Sequence, residues 1–309
     1  MPGLADKRLL FVAGKGGVGR TTVALALGIA AARRGKRTIV AEMGGQALGA
    51  SAFGRARARP GAEVALDGTL HAISLDVRTA MDEYLHARAG RLGDLLGASR
   101  AFGAFVAATP GMRELLTVGK VWELAQDARR VEGGERYDLV IADAPATGHA
   151  IATLRTPRTF AEIARVGPIA HQGRTIDATL RDAAFTGVVA VSLPEEMPVN
   201  ETLVLQRALR DAPGLELGAL VVNACLPRRL GPRQAASVRR ALERTSESVA
   251  HAALRSALSE HVRASVQREQ VERVAAEAGM TPVELPYLFG PALEREELER
   301  LADALEGIL

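Results

Sequence analysis

Nine residues, Gly14-Lys15-Gly16-Gly17-Val18-Gly19-Arg20-Thr21-Thr22, constrain this chain more than any others. They follow the apolar run Leu9-Leu10-Phe11-Val12-Ala13 and open onto Val23-Ala24-Leu25-Ala26-Leu27. The order is strand, glycine loop, helix. The glycines remove Cβ atoms, so consecutive backbone N–H groups can turn inward and cradle phosphate oxygens. The helix that follows directs its positive end at the same anion. Thr21 stands where such a loop supplies a hydroxyl to Mg²⁺.

Two patterns share these glycines. The phosphate-loop pattern G-x-x-x-x-G-K-[ST] is met at Gly14, Gly19 and Thr21, with Arg20 in place of the lysine. Charge is kept there, but a compact ammonium becomes a longer planar fork. Gly14, Gly16 and Gly19 also spell G-x-G-x-x-G, and the second apolar run, Thr38-Ile39-Val40-Ala41, ends in Glu42. That is where a dinucleotide-binding fold keeps its ribose-binding acid. From the loop alone, both readings stand.

A length of 309 residues, 48% hydrophobic and 24% charged, suits one large domain or two modest ones. A net charge of +3 and an aromatic share of 4% give little basis for nucleic-acid binding, by phosphate attraction or by base stacking. The single cysteine, Cys225, allows neither an internal disulfide nor a Cys-rich metal site within one chain, and fits a reduced, cytoplasmic setting. No apolar run approaches the roughly 20 residues that span a membrane. The first strand begins too early to leave room for a signal peptide.

In chain order, residues 8–13 and 37–42 read as parallel strands around a helix over 20–34, a βαβ opening whose continuous apolar strands imply a sheet covered on both faces. Gly54-Arg55-Ala56-Arg57-Ala58-Arg59-Pro60-Gly61 reads as a solvated loop or as a contact to an acidic partner or phosphate, and Leu70–Leu75 as a strand. Residues 77–130 lack strand signals. Met81, Leu85, Ala89, Leu92 and Leu96 fall on one helical face, Phe102, Phe105 and Val106 follow, and Met112, Leu115, Leu116 and Trp122 continue at helical spacing. This predicts a helical insertion, joined by part of a second helical stretch, 150–183, interrupted at Pro157 and at Gly167-Pro168. Between them, Tyr137–Asp143 is a strand ending in an acid. An aspartate there, after a phosphate loop, reads as the acid that holds Mg²⁺; the competing reading is a helix N-cap. His149, shortly after it, reads as a structural histidine.

Strands follow at 187–193 and 217–223, with a helix from about Asn200 between them. Asn223 ends its strand with an amide that can read a base edge, or serves as a turn-former before Pro227. Two helices fill 232–278, Gly279 stops the second, Val283–Pro286 is a last short strand, and an acidic amphipathic helix runs from Leu293.

The pair GKGGVGRTT and Asp143-Ala144-Pro145-Ala146-Thr147-Gly148-His149 resembles the arsenite-pump and tail-anchored-protein-targeting ATPases, the deviant Walker A branch of the P-loop NTPases. The likeness runs on through the Asn223 strand end and the Pro286 region. It implies an α/β, three-layer P-loop NTPase fold with a mostly parallel central sheet, a single domain over 1–309 and a helical insertion at 77–130 forming a subdomain. It also implies ATP and Mg²⁺ as ligands. Lys15 becomes the signature lysine, which reaches the nucleotide phosphates, often across a dimer interface. Gly14, Gly16, Gly17, Val18 and Gly19 form the phosphate loop; Arg20 and Lys15 neutralise phosphate charge. Thr21 and Asp143 hold the metal, Thr22 lies beside the α-phosphate, and Asn223 and the Pro286 loop flank adenine.

The chain departs from the family's pattern in four ways. Arg20 replaces the P-loop lysine. The first switch, Asp-Pro-Ala-His in the family, reads Glu42-Met43-Gly44-Gly45, so Glu42 is the candidate for the water-orienting aspartate's role. The Cys-x-x-Cys zinc clasp is absent, and the helical insertion is short and methionine-poor. The expectation is therefore a slowly hydrolysing Mg·ATP-dependent dimeric switch, paired with itself or a paralogue, acting on an unknown protein cargo through its helices. The alternative is a catalytically impaired nucleotide-binding module that pairs with a paralogous subunit.

Overall fold

Alternation along the first strand sets the layers. In β1 (Leu9–Gly14), Leu9, Phe11 and Ala13 enter one apolar core and Leu10 and Val12 the other, as period-two side-chain alternation requires. The structure, a computed structural model, describes residues 3–309 except 45–46, 57, 91–98, 100–102, 105, 107, 131–133, 212–214 and 291–292; for Arg88, Ala89, Thr147 and His149 it describes the backbone alone.

β1 lies inside an eight-stranded sheet with β2 (Thr38–Glu42), β3 (Glu63–Asp67), β4 (Leu70–Ser74), β5 (Leu139–Asp143), β6 (Thr186–Ser192), β7 (Leu217–Cys225) and β8 (Val283–Pro286), in the order β3-β4-β2-β5-β1-β6-β7-β8. Only the edge strand β3 runs antiparallel. One face is covered by α1 (Arg20–Arg33) and, further along the chain, a C-terminal helix over Arg295–Leu305, which buries Leu298, Leu301 and Leu305. Between these come α2 (Leu48–Ala52), α3 (Val77–Ala89), α4 (Met112–Leu124), α5 (Thr147–Ala164), α6 (Pro168–Arg181), α7 (Glu196–Arg210), α8 (Pro232–Arg244) and α9 (Ser248–Ala278), which makes the C-terminal helix α10. The second face receives Val118 and Trp122 of α4, Leu154 of α5, Ile176 of α6, Leu203 of α7 and Val274 of α9. This is the expected three-layer α/β fold with a mostly parallel sheet.

The structure departs from the sequence reading in three places and removes one competing reading. β3 was not foreseen, although Asp67-Gly68 between Leu66 and Leu70 is a hairpin signal; Gly68 has φ +47°. Pro157 does not interrupt α5. α6 packs tightly there, since a Cβ on Gly173 would lie 2.6 Å from the Pro157 carbonyl oxygen, and that packing outweighs one missing N–H. α7 starts at Glu196 rather than near Asn200, because Pro198 falls in the first turn, where a proline N–H is not needed. Ala146, not Asp143, is the N-cap of α5. Leu92, Leu96, Phe102, Phe105 and the side chain of His149 lie outside the described residues.

Candidate nucleotide site

The register of the parallel strands brings their carboxyl ends to one edge. Asp143 is paired with Val12 on one side and Glu42 on the other, and Gly14 with Val191. In an open α/β sheet ligands sit at this edge. The loop leaving β1 turns through Gly17 (φ +87°) and Gly19 (φ +88°), conformations that L side chains rarely adopt. Val18 plugs into the core beneath, while Gly16 and Gly17 are exposed. Val23 N–H donates to the Gly19 carbonyl at 3.0 Å and starts α1.

Gly14 is needed for space. A Cβ there would overlap the backbone carbonyl oxygen of Val191 on β6. Gly14→Ala is therefore expected to lose about 1–3 kcal/mol of stability, typical of overpacking, and to displace the loop at its root. Urea denaturation together with ATP titration would show both losses; an alanine variant that bound ATP like wild type would show that the strand end gives way freely.

Asp143 is 8% exposed. Its Oδ2 accepts from Thr21 Oγ1 at 2.5 Å, while Oδ1 is buried with no hydrogen-bond partner among the described residues. Burial raises its pKa above the ordinary carboxylate range, against the Thr21 hydrogen bond and the Arg20 charge. A buried carboxylate oxygen without a partner is costly, and a divalent cation held by oxygen ligands is what this hydroxyl–carboxylate pair fits. Thr22 follows in the first turn of α1.

The two cations of the loop are both engaged within the chain. Arg20 Nη1 donates to the Ala144 carbonyl, just beyond Asp143. Burial lowers its pKa and the Asp143 charge opposes that. Lys15 Nζ contacts Met197 Sδ and lies 3.3 Å from Glu201 Oε1, both on α7. Nothing in the sequence marks Met197 or Glu201 as its neighbours.

Glu42 is 2% exposed. Its Oε2 accepts from Leu48 N–H at 2.9 Å and its Oε1 from Gly49 N–H at 2.5 Å. Burial raises its pKa, those backbone bonds lower it, and Asp143 raises it further. Glu42 thus holds the start of α2 with both oxygens.

Asn223 lies on β7, where its Nδ2 donates to the Val18 carbonyl at 2.9 Å and so steadies the glycine loop. Pro286 ends the neighbouring β8, in register with Cys225. Beyond it, Tyr287 N–H donates to the Cys225 carbonyl at 2.9 Å. Tyr287 and Phe289 form an exposed edge-to-face pair with centroids 4.8 Å apart, an aromatic surface the sequence reading passed over. Burial pushes the Cys225 thiol up to about 12, with Glu284 adding to it, so the thiol stays protonated near neutral pH.

The fold therefore brings Gly14 to Thr22, Glu42, Asp143 and Asn223 to one edge, with Pro286 on the strand beside Asn223. Among the described residues, no group of three or more His, Cys, Asp or Glu is arranged to hold a metal ion, so a cation at Asp143 would share its ligands with a hydroxyl. No helix among them is long and apolar enough to cross a membrane.

Comparison with known proteins agrees with this geometry. The sequence pattern of a family described as Anion-transporting ATPase matches residues 7–168, a span that includes the glycine loop, Glu42 and Asp143. ATPase BagA of Mycobacterium tuberculosis is 31% identical over 245 residues, 75% of this chain and 69% of that protein. ATPase GET3 of Kluyveromyces lactis is 31% identical over 179 residues, 52% of this chain and 51% of its own. An ATPase ASNA1 homolog of Entamoeba dispar is 25% identical over 263 residues, 71% of this chain and 76% of its own.

Proposed function

The chain belongs to the anion-transporting ATPase family, a family of nucleotide-binding ATPases, and from that premise we propose that it binds Mg·ATP at the glycine loop and hydrolyses it slowly, as a dimeric switch for a protein partner. The observation that carries this reading is the Thr21–Asp143 pair, with a buried Asp143 Oδ1 that has no partner among the described residues, at the mouth of the loop.

Thr21 and Asp143 would hold the Mg²⁺, which when bound neutralises charge on the β- and γ-phosphates. The N–H groups of Gly16 to Gly19 cradle phosphate oxygens, and α1 adds the positive end of its dipole. Arg20 leaves the Ala144 carbonyl to meet phosphate, which ties nucleotide binding to the segment after Asp143. Asn223 holds the loop in shape through Val18, and the Pro286 loop with Tyr287 and Phe289 offers a surface for the base. In a dimer, Lys15 leaves Glu201 for the facing nucleotide.

Slow turnover follows from Glu42. Both of its oxygens are occupied by the backbone of α2, so it acts as a positioning residue for the first switch rather than on an attacking water. Restoring the missing lysine is then not enough to give fast chemistry. In steady-state Mg·ATP hydrolysis, wild type and Arg20→Lys are both expected below about 1 s⁻¹, the low edge of ordinary enzymes. Fast turnover by Arg20→Lys alone would move the defect from the first switch to Arg20. An absence of ATP binding by wild type would overturn the reading altogether.

A further inference from the structure

A second site lies away from the glycine loop. α3, α4 and α6 enclose a cavity of about 810 Å³. Its walls are mostly apolar, with Met81 and Leu85 from α3, Leu115 and Leu116 from α4, and Ile169 and Ile176 from α6. That volume lies within the range of small-molecule sites, ~300–1,000 Å³.

The polar part of the lining is specific. Lys120 is 7% exposed. Its ammonium donates to Glu83 Oε2 at 2.7 Å and to Glu123 Oε2 at 3.1 Å. An ammonium carries three N–H donors, so one remains on a buried residue that lines the cavity. Among the described residues, charges in the lining nearly cancel. Asp82, Glu83 and Glu123 face Lys120 and Arg130, and Arg129 Nε, from outside the lining, holds the other oxygen of Glu123 at 2.8 Å. A carboxylate ligand would meet Asp82 and Glu83, and an ammonium ligand would meet Lys120 and Arg130. A neutral oxygen acceptor meets the remaining Lys120 N–H and adds no charge to a buried site.

We infer that this cavity binds a small neutral amphiphile, an apolar chain or ring system ending in a hydroxyl or carbonyl oxygen that accepts from Lys120. The site is distinct from the nucleotide site and goes beyond the ATPase reading.

The protein carries its own reporter. Its single tryptophan, Trp122, lies on α4 among the lining residues Gly119, Lys120 and Glu123, with the Arg130 guanidinium 4.8 Å over its ring. The experiment titrates the 309-residue chain with decan-1-ol, decanoate and decylammonium, each below its aggregation limit, and follows Trp122 emission. The blocking variant is Gly119→Leu. Among the described residues, a Cβ at Gly119 meets only Ile176 Cδ1, at 3.8 Å, and leucine favours the helix over glycine, so the variant is expected to fill the cavity and keep the fold, which a circular dichroism melt verifies. Decan-1-ol is expected to give a saturable change, with decanoate and decylammonium at least roughly tenfold weaker and decan-1-ol binding to Gly119→Leu weakened at least as much. No saturable change in wild type, or the same change in folded Gly119→Leu, would overturn the site. Tighter binding of either charged probe would overturn the assignment of a neutral ligand.

Discussion

Replacing Arg129 by methionine is expected to destabilise the fold by about 3–5 kcal/mol, the cost of breaking a buried ion pair by removing one partner. The Arg129 side chain is 1% exposed. It donates to Glu123 Oε1 at 2.8 Å and to Glu63 Oε1 at 2.6 Å, and lies over the Tyr137 ring at 5.6 Å. Methionine keeps much of the stem and removes every one of those bonds. Glu123, 6% exposed, would then be buried with less compensation, and the partly exposed Glu63 side chain would lose its arginine partner. The effect has a pH signature. Burial works to raise both carboxyl pKa values, but the bonds from Arg129, with Tyr137 adding to Glu63 and Lys120 to Glu123, outweigh it and hold both below the ordinary range. A depressed folded pKa gives stability that is present above the unfolded value of about 4.3 and is lost as pH falls through the folded one. Urea melts of wild type should therefore weaken as pH drops below about 4.5, and Arg129→Met should start lower and lose less over the same interval. Equal stability of the two proteins at pH 7 would mean that the network is neutral to the fold. Arg129 shares no contact with the glycine loop, so the folded variant should bind ATP like wild type.

Asp143→Asn is expected to do the reverse. Asparagine keeps the shape and can still pair with Thr21, but it removes the charge a divalent cation needs. The gain in ATP affinity that Mg²⁺ gives wild type should fall tenfold or more, about 1.4 kcal/mol per decade. Stability should hold or rise, because a buried carboxylate with an unpartnered oxygen carries a desolvation cost. A site residue that weakens the fold and serves the ligand is the expected trade between stability and function. Calorimetric titration with and without Mg²⁺, beside urea melts, reads both effects. A variant that kept the full Mg²⁺ gain would place the cation elsewhere.

The contrast between these two residues also marks what the sequence made legible. Asp143 could be found because two local signals coincide, a buried apolar run that ends in an acid and a glycine loop earlier in the chain. The central strands, α1 and the helical character of 77–89 and 112–124 were legible for the same reason, since periodicity and turn residues agree there. Arg129 carried no such signal. Its partners Glu63 and Glu123 come from an edge strand and from α4, and only the tertiary fold joins them. The partners of Lys15 and Arg20 were hidden likewise, because Glu201 and the Ala144 carbonyl reach the loop through sheet order rather than spacing. Glu42 was placed correctly at the end of β2, but its hold on α2 depends on the short helix at Leu48–Ala52, which no periodic run announces. Pro157 misled in the opposite direction, since α6 holds α5 continuous through it.

The most direct test of nucleotide binding at the Thr21–Asp143 pair is calorimetric titration of the whole 309-residue chain with ATP, with Mg²⁺ and with EDTA, beside NAD as the ligand the dinucleotide pattern would favour. Tight ATP binding that weakens at least roughly tenfold in EDTA, with no NAD binding, is the predicted result. ATP affinity indifferent to Mg²⁺, or NAD bound more tightly than ATP, would contradict it.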